Sequence, residues 1–509
     1  MARIFAVIFF TLSFFIFSCT ASRKNYSPSK KYDQHSLQQD YLLLKAILEK
    51  KHPSLYWYTP KDSMDMYFTK YYNVIRDSMT EQQFAWHVLA PLVDKIKCGH
   101  TSVSMSKDYI KWTKGKTIPS FPLYMKIWDD SMFTLVNLNK NDSIIKRGTL
   151  ITSVNGLSTQ MLVQKMFDYL PQDGNANSIN YIRMSSNFPY YHRNIFGLSK
   201  TYQVTYLDSF GFTKTAMLPL FAPPKDSLRK DSLRKDSLRK ENIVKTKKSK
   251  ITRQQKLSGY RSLKIDSSGT FAVMTVSTFS NGHLRRFFRR SFKELNEKKI
   301  NNLILDLRFN GGGRIALSTL LSKYVTRKPF RVADTLFAVS KTLKPYTKYI
   351  KGRFFNNIEL FFITKKLKDG NYHNTYLEKK LFKPKEHNHY NGKLYVLTAG
   401  PTFSAAALFC NAVKGQEGIK LLGEETGGGW YGNDGIMIPD ITLPNTRLTV
   451  RLPLFRLVQY NHIAEKGTGV IPDIYIPTSY DALIKGYDKK MSVAKEMIME
   501  DEKRELNGQ

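Results

Sequence analysis

The sequence predicts an α/β protein whose C-terminal half holds a core rich in parallel sheet. From Tyr260 onward, strand-like and helical segments alternate: SLKIDSSGTFAVMTVSTFS, a helical stretch to Lys299, NNLILDLRFNGGG, KLYVLTAG, a helix from about Phe403, and GIKLLGEETGGG. Such alternation is typical of strand–helix–strand units, in which successive strands lie parallel. We therefore predict a core over 256–485 whose loops carry the chemistry.

The chain is long and apolar enough for two or three folded units. It has 509 residues, of which 42% are hydrophobic, and single cores rarely grow beyond about 300 residues. Over 37–110, apolar residues recur at helical spacing, and Thr80 with Gln83 forms the pattern of a capping box. This pattern predicts an N-terminal helical region and excludes full disorder.

Two further segments precede the core. Over 118–220, short strands and turns are indicated, including a strand that ends in Val154, an Asn155-Gly156 turn and an amphipathic helix. Over 223–255, KDSLR is repeated three times, a period that fits neither a helix nor a strand. We predict a folded module for the first segment and a solvated basic linker for the second.

The first residues predict an export signal over 1–18. A nearly unbroken apolar run from Ile4 to Ile16 is shorter than the roughly 20 residues of a membrane-spanning helix. It leads into IFSC, which ends at Cys19 and resembles the lipobox of bacterial lipoproteins. The resemblance implies a lipid on Cys19, a tether over 19–36 and a place in the bacterial cell envelope, facing the periplasm or the exterior. The alternative is an ordinary secretory signal with an incidental cysteine.

The charge of the chain does not indicate a nucleic-acid partner. The formal net charge is +37, from 79 Lys and Arg against 42 Asp and Glu, but the excess is spread along the chain and no nucleic-acid motif occurs. A basic face toward anionic lipid or cell-wall polymer fits an exported protein better. The two cysteines after Cys19, Cys98 and Cys410, are expected to be buried free thiols.

Three core segments resemble one protease family in their order and texture. LILDLRFNGGG, LTAGPTFSAAALF and LLGEETGGG are similar to segments of the C-terminal processing (tail-specific) serine proteases, peptidase family S41. The resemblance implies a ClpP/crotonase-like core, a PDZ-like module over 118–220 and a polypeptide substrate. It implies no metal and no organic cofactor.

Ser404 is the predicted nucleophile. Small residues follow the strand that ends at Ala399-Gly400, so Ser404 is expected at a helix N-terminus, where the helix dipole favours negative charge. A simple N-cap is the alternative. The resemblance implies that Ser404 attacks the peptide carbonyl and that Gly312, Gly313 and Ala405 form the oxyanion hole, with each donor contributing about 3 kcal/mol in the transition state. A phosphate loop is excluded because no P-loop lysine follows the glycines.

The general base is where the sequence departs from the best-known branch of the family. That branch has a lysine in a Gly-Lys-Gly stretch after the serine, whereas this chain has TGGGW over 426–430. The segment Cys98-Gly99-His100-Thr101 is instead similar to the Gly-His-Thr stretch of the tricorn-like branch, which implies that His100 is the base. Imidazole suits this role because it titrates near neutral pH. A purely structural histidine is the alternative.

The third catalytic residue is less sharply defined. In the tricorn-like branch a glutamate upstream of a closing Gly-Val-x-Pro-Asp motif orients the histidine, and this chain has that motif over 469–473. Glu465 is the nearest upstream carboxylate and is our prediction. Asp434 and Asp440 are its competitors.

The remaining segments carry weaker signals. His387 and His389 lie in a polar loop without the partners of a zinc site. They belong to an insertion over 328–390 that is predicted to form a lid, and 486–509 is predicted to be a C-terminal tail.

These observations together predict an extracytoplasmic serine endopeptidase that cleaves exposed or unfolded polypeptides, held in some cases by their C-terminal end. One alternative is a catalytically silent relative that binds peptides or cell-wall fragments in the same cleft. Another is a different acyl hydrolase, such as an esterase.

Overall fold

The computed structural model describes residues 26–128, 131–222, 252–461 and 463–506. The predicted signal, Cys19 and nearly all of the predicted linker lie outside these residues. No helix in the described part of the chain is both long and apolar enough to cross a lipid bilayer.

The first region is mainly helical. The capping box predicted at Thr80 is formed: its hydroxyl accepts the N–H of Gln83, and the Gln83 side chain accepts the N–H of Thr80. The first long helix begins at Gln34, where Asp33 accepts the N–H of Ser36. The helices are α1 Gln34–Lys51, α2 Lys61–Asn73, α3 Glu81–Phe84, a π-helical turn Ala85–Leu89, α4 Ala90–Asp94 and α5 Lys107–Thr113, and the strands are β1 Lys31–Tyr32, β2 Met79–Thr80 and β3 Val103–Ser104.

The second region is a small antiparallel sheet with helices packed on it. Asn155 and Gly156 both have positive φ, at 49° and 79°, as the predicted tight turn requires. The sheet has the order β4-β5-β6-β8-β9, and β7 pairs with β6. Its elements are β4 Leu123–Trp128, β5 Ser131–Asn137, β6 Leu150–Val154, β7 Leu157–Ser158, β8 Thr201–Leu207 and β9 Thr213–Pro219, with α6 Thr159–Phe167, α7 Ser178–Ser186 and α8 Phe188–Phe196.

The remaining elements form the core and its attachments. The strands are β10 Arg261–Ile265, β11 Phe271–Val276, β12 Asn302–Asp306, β13 Ala333–Ala338, β14 Lys365–Lys366, β15 Tyr372–His373, β16 Lys393–Thr398, β17 Ile419–Gly423, β18 Gly432–Ile436, β19 Asp440–Thr442, β20 Thr449–Arg451, β21 Phe455–Gln459 and β22 Ile474–Tyr475. The helices are α9 Arg253–Ser258, α10 Leu284–Glu297, α11 Ile315–Val325, a 3-10 turn Thr347–Tyr349, α12 Arg353–Ile363, α13 Thr375–Lys379, α14 Ala405–Val413, α15 Tyr480–Lys485 and α16 Lys489–Leu506.

The main sheet of the core has the order β10-β11-β12-β16-β17-β22. β10 runs antiparallel to β11, and each later pair is parallel. Strand β12 is buried along its whole length because helices cover both faces of the sheet. On one face Leu303 packs with Phe288 of α10. On the other face Ile304 packs with Ile498 of α16, so the segment predicted as a tail contains a helix that completes the core.

A second sheet, β14-β15-β13-β21-β18, joins the insertion over 328–390 to the core. Leu336 of β13 lies opposite Leu457 of β21 in an antiparallel ladder. A third sheet, β19-β20-β3, joins the N-terminal region to the core, with Val103 opposite Val450. This last pairing brings the segment that contains His100 to the core. The whole is a mixed α/β protein, as the sequence predicted.

Candidate active site

Ser404 lies in a tight turn between β16 and α14. Its backbone has φ 53° and ψ −121°, an unusual conformation for a residue other than glycine. The turn is fixed to the end of β12, since Thr402 Oγ1 donates to the carbonyl of Leu307 at 2.9 Å and Phe403 N donates to that of Asn310 at 3.0 Å. The Ser404 side chain makes no capping hydrogen bond to α14. The strained turn therefore presents the hydroxyl without using it as an N-cap.

The glycine loop that follows β12 touches this turn. Asn310 is completely buried, and its Nδ2 donates to the carbonyl of Val276 at 2.9 Å. A Cβ atom on Gly312, whose φ is 93°, would lie 2.7 Å from Cβ of Ser404 and 2.9 Å from the backbone nitrogen of Ala405. No side chain fits there, so the loop backbone lies directly against the start of α14.

Two backbone donors border this contact. Ala405 is the first residue of α14, so its N–H has no acceptor within the helix. The N–H of Gly312 donates to Oδ1 of Asn310 at 2.9 Å. Gly313 has φ 138° and forms an isolated bridge with Phe279.

His100 faces the same point as Ser404. A Cβ atom on Gly435 would lie 2.8 Å from Oγ of Ser404 and 3.1 Å from Nε2 of His100. The imidazole is 4% exposed and packs on the ring of Phe403 with centroids 4.8 Å apart. Among the described residues, neither ring nitrogen of His100 has a hydrogen-bond partner. The structure therefore brings the two predicted residues together around Gly435.

Asp173, which the sequence analysis missed, lies on the other side of the imidazole. It is 2% exposed and comes from the loop between α6 and α7, with Oδ1 3.8 Å from Nδ1 of His100. Its carboxylate accepts the N–H of Gly99 at 2.8 Å and that of Gly429 at 3.2 Å. In the sequence, the Asp-Gly pair at 173–174 indicates only a turn, so no local signal pointed to this role.

The structure places the three carboxylates considered earlier at different sites. Glu465 is exposed and lies near Glu425, whose pKa is raised, mainly by burial and less by the charge of Glu465. Asp440 lies 3.7 Å from Nζ of Lys351 at the surface. Asp434 is buried behind His100, accepts a hydrogen bond from Ser54 Oγ, and has its pKa raised to about 6 by burial.

A buried polar layer is attached to the segment of His100 through Thr101. The N–H of Ser54 donates to Nδ1 of His52 at 3.1 Å, so the proton of this imidazole is on Nε2, 2.8 Å from Thr101 Oγ1. Burial lowers the pKa of His52 to about 3 and keeps it neutral. Cys98 and Cys410 are both buried free thiols, as predicted, and burial raises their pKa values.

Two side-chain sets have ligand atoms close enough to share an ion: His52 with Cys98 and Asp434, and Cys98 with His100 and Asp173. Both sets share the Cys98 thiol, whose pKa is raised by burial. Their carboxylates already accept hydrogen bonds within the protein, Asp434 from Ser54 and Asp173 from Gly99, and we assign a metal to neither set. In the polar loop of the insertion, both ring nitrogens of His389 are taken by Asn391 and the carbonyl of Thr326.

The glycine stretch over 427–429 packs closely against the turn that contains Ser404. Gly427 N donates to the carbonyl of Gly400 at 2.9 Å. A Cβ atom on Gly428 would lie 2.8 Å from the nitrogen of Ser404, and one on Gly429 would lie 2.4 Å from the carbonyl oxygen of Gly432. Packing therefore leaves no room for a side chain, including that of a lysine, at these three positions.

A cavity of about 530 Å³ is lined in part by Gly99, the residue before His100 in the chain. It lies between the N-terminal region and the second region. Its walls include Trp86, Tyr109 and Tyr190, and the guanidinium groups of Arg183 and Arg451 supply positive charge. The cavity therefore combines aromatic surface with two cationic side chains.

Comparisons with known proteins concern part of the sequence and the overall fold. Residues 270–476 match the profile of Peptidase family S41, a stretch that holds Ser404 and the glycine loop but neither His100 nor Asp173. No curated protein matches the chain. The solved structure of mature CPAF is similar with a TM-score of 0.59 and 14% identity, covering 91% of this chain and 96% of that chain. Mature CPAF complexed with lactacystin gives a TM-score of 0.58 and 14% identity, covering 94% and 99%. At this identity the likeness shows a shared fold.

Proposed function

We propose that this chain, a serine peptidase whose residues 270–476 match peptidase family S41, cleaves exposed or unfolded polypeptides through an acyl-enzyme formed on Ser404. The observation that carries the proposal is that Ser404 Oγ and His100 Nε2 both point toward Gly435. They lie 2.8 and 3.1 Å from the point where a Cβ atom on Gly435 would lie. A nucleophile and a base must lie within hydrogen-bond reach for proton transfer, and such contacts are often looser before substrate binds.

In the first step, Nε2 of His100 accepts the Ser404 proton while Oγ attacks the scissile carbonyl. The contact with Phe403 fixes the plane of the imidazole. Asp173 orients the ring from the Nδ1 side. At 3.8 Å this contact is longer than a hydrogen bond and acts through charge, favouring the imidazolium that forms during the attack. Glu465, the carboxylate implied by the family resemblance, is the alternative for this role.

Backbone donors stabilise the oxyanion. We assign the N–H of Ala405 and those of Gly312 and Gly313 to this role, because the glycine loop lies against the start of α14. The N–H of Gly312 would exchange its bond to Asn310 for one to the developing charge. Donors aimed at a developing oxyanion contribute about 3 kcal/mol each to the transition state.

Completion of the reaction needs only protein groups and water. The imidazolium of His100 gives its proton to the leaving amine, and a water molecule activated by the same imidazole hydrolyses the acyl-enzyme. Ser404 then regains its proton. Neither a metal ion nor an organic cofactor takes part in these proposed steps.

We infer two substrate-binding elements from their place in the chain. The second region, taken as a PDZ-like module over 118–220, would hold a substrate's C-terminal end by strand addition. The cavity beside Gly99 would accept side chains of the substrate, with Arg183 and Arg451 favouring acidic ones.

We further propose that the enzyme acts in the bacterial cell envelope, with a lipid on Cys19 as its anchor. The supporting observation is the IFSC motif after an apolar run. Mass measurement of the N-terminal peptide from membranes tests this. A lipid-modified Cys19 is expected, and an unmodified Cys19 or a cleavage site elsewhere would refute the anchor.

The direct test of the activity uses the full chain in detergent with an unfolded, fluorophore-labelled protein as the substrate. The wild type and Ser209→Ala, a change at an exposed serine of the second region, should release labelled peptides at the same rate. Ser404→Ala should release none above background. Equal release by Ser404→Ala would refute the assignment, and no release by any of the proteins would favour the silent, peptide-binding alternative.

A further inference from the structure

Helix α12, in the insertion over 328–390, shows an apolar face to solvent. Phe354, Phe355 and Phe362 are 67, 74 and 78% exposed, and Ile358 and Phe361 are 42 and 59% exposed. At about 100° per residue, these five side chains fall within an arc of about 120° on one side of the helix. A surface helix normally turns such a stripe toward the core. Here the stripe is turned outward.

The opposite side of α12 holds the helix to the protein. Leu360 is 1% exposed and packs in the core that the N-terminal region shares with the insertion. Asn357 Oδ1 accepts the N–H of Leu343 at 2.8 Å, and Asn356 Nδ2 donates to the carbonyl of Lys351 at 3.1 Å. The outward apolar face is thus a fixed feature of the fold.

Exposed cations surround this face along the chain. The eight residues are Lys341, Lys344, Lys348, Lys351, Arg353, Lys365, Lys366 and Lys368. Within the described part of the chain, only Lys351 among them has an ion-pair partner, Asp440. Glu359 is the single acidic residue of α12. We call the five apolar side chains and these eight cations the basic-aromatic face.

We propose that the basic-aromatic face seats in the headgroup region of a bilayer that contains anionic lipid. Helices with apolar and aromatic residues on one side and cations around them bind membrane interfaces in this way. Each Lys or Arg near an anionic surface adds to the attraction. A second copy of the chain is a poorer occupant, because it would bring the same eight cations against these and carry a net charge of +37. The proposal does not depend on peptidase activity.

The test reads one position of the face directly. In the full chain, Cys19→Ser leaves only buried native thiols, so Phe362→Cys can be labelled with an environment-sensitive fluorophore. Phe210→Cys is the matched control, since Phe210 is 83% exposed and lies in the second region. With vesicles of phosphatidylcholine and phosphatidylglycerol, the label at 362 should shift to shorter wavelength and brighten, whereas the label at 210 should not change.

The charge contribution is tested with lysine variants. Lys365→Glu, Lys366→Glu and Lys368→Glu together should weaken the response of the label at 362 about tenfold or more. Lys107→Glu, Lys111→Glu and Lys114→Glu make the same change in net charge at exposed lysines outside the face, and should have a smaller effect.

Four outcomes would overturn the proposal. The first is no response at 362, and the second is an equal response to vesicles of phosphatidylcholine alone. The third is a vesicle-free response that grows with protein concentration, which would indicate a second copy. The fourth is a label at 362 that is already shielded in dilute, vesicle-free protein, which would indicate that a segment of the chain itself covers the face.

Discussion

Nδ1 of His100 lies 3.8 Å from Oδ1 of Asp173, and both side chains are almost completely buried. This geometry is the basis of the role proposed for Asp173, which is to orient the imidazole of His100 from its Nδ1 side. Asp173→Asn keeps the size of the side chain and removes the charge, so we expect kcat to fall about 100-fold or more with little change in KM. Steady-state hydrolysis of a peptide substrate measures both constants.

Glu465→Gln is the matched comparison for this prediction, since Glu465 is exposed and lies beside Glu425. We expect this change to alter kcat by less than Asp173→Asn does. A larger loss of kcat in Glu465→Gln than in Asp173→Asn would assign the orienting role to Glu465 instead.

His100 itself should be essential for turnover. Removing a general base typically costs about 100- to 10,000-fold in rate, so His100→Ala should lower kcat at least 100-fold. Lys97→Ala, three residues earlier, should leave kcat unchanged, because no step uses a lysine. A reversed order of effects would point back to a serine–lysine mechanism.

Gly435 should tolerate no side chain in an active enzyme. Its φ is outside the left-handed region, so alanine suits the backbone, but the new Cβ would lie 2.8 Å from Ser404 Oγ and 3.1 Å from His100 Nε2. Gly435→Ala should therefore lower kcat about 100-fold by separating these groups. Its free energy of unfolding should fall by about 1–3 kcal/mol, because the new Cβ would also lie 2.8 Å from the buried Oδ1 of Asn433.

Gly259→Ala serves as the control, since a Cβ there makes only ordinary contacts, the nearest at 3.6 Å. Activity in Gly435→Ala equal to that in Gly259→Ala would mean that Ser404 and His100 do not meet at this point.

Asp434 should make the free energy of unfolding of the protein fall as the pH rises. Its pKa is raised from 3.8 to about 6 by burial, so the folded protein holds this proton more tightly than the unfolded chain does. As the pH rises from 3.8 to about 6, the unfolded chain loses the Asp434 proton while the folded protein keeps it, so the folded state becomes less stable. This loss of stability is complete above about pH 6. Relative to wild type, Asp434→Asn should gain about 2 kcal/mol in free energy of unfolding between pH 4.5 and 7.5.

Urea unfolding of both proteins at the two pH values measures this gain. The Asn side chain can still accept a hydrogen bond from the Ser54 hydroxyl, so the comparison isolates the effect of the charge. A difference between the two proteins that is independent of pH, or that shrinks as pH rises, would contradict the account.

Local features of the fold were predictable from sequence. The capping box at Thr80, the turn at Asn155-Gly156 and the helix that begins after Ser404 all follow from residues close in the chain. Hydrophobic periodicity and turn chemistry are local properties, so they can be identified without knowing which segments meet.

The parts of the site that the sequence analysis did not predict depend on contacts between distant segments of the chain. Asp173 meets His100 only because the loop after α6 packs against Gly99 and Gly429, and its own sequence indicates no more than a turn. Gly435 likewise lies where the pairing of β18 with β21 shifts register, between Asn433 and Ile436, and local sequence does not indicate such a shift. The helix at 489–506 was missed as well, because its few apolar residues become significant only when they cover the sheet.

Labelling with a fluorophosphonate probe tests the central claim most directly. The full chain is incubated with the probe, digested and mapped by mass spectrometry, because such probes react with serines activated as nucleophiles. The account predicts one phosphonylated residue, Ser404, with labelling abolished in Ser404→Ala and strongly slowed in His100→Ala. A probe adduct on a different serine, in protein that hydrolyses peptide while Ser404 stays unmodified, would contradict it.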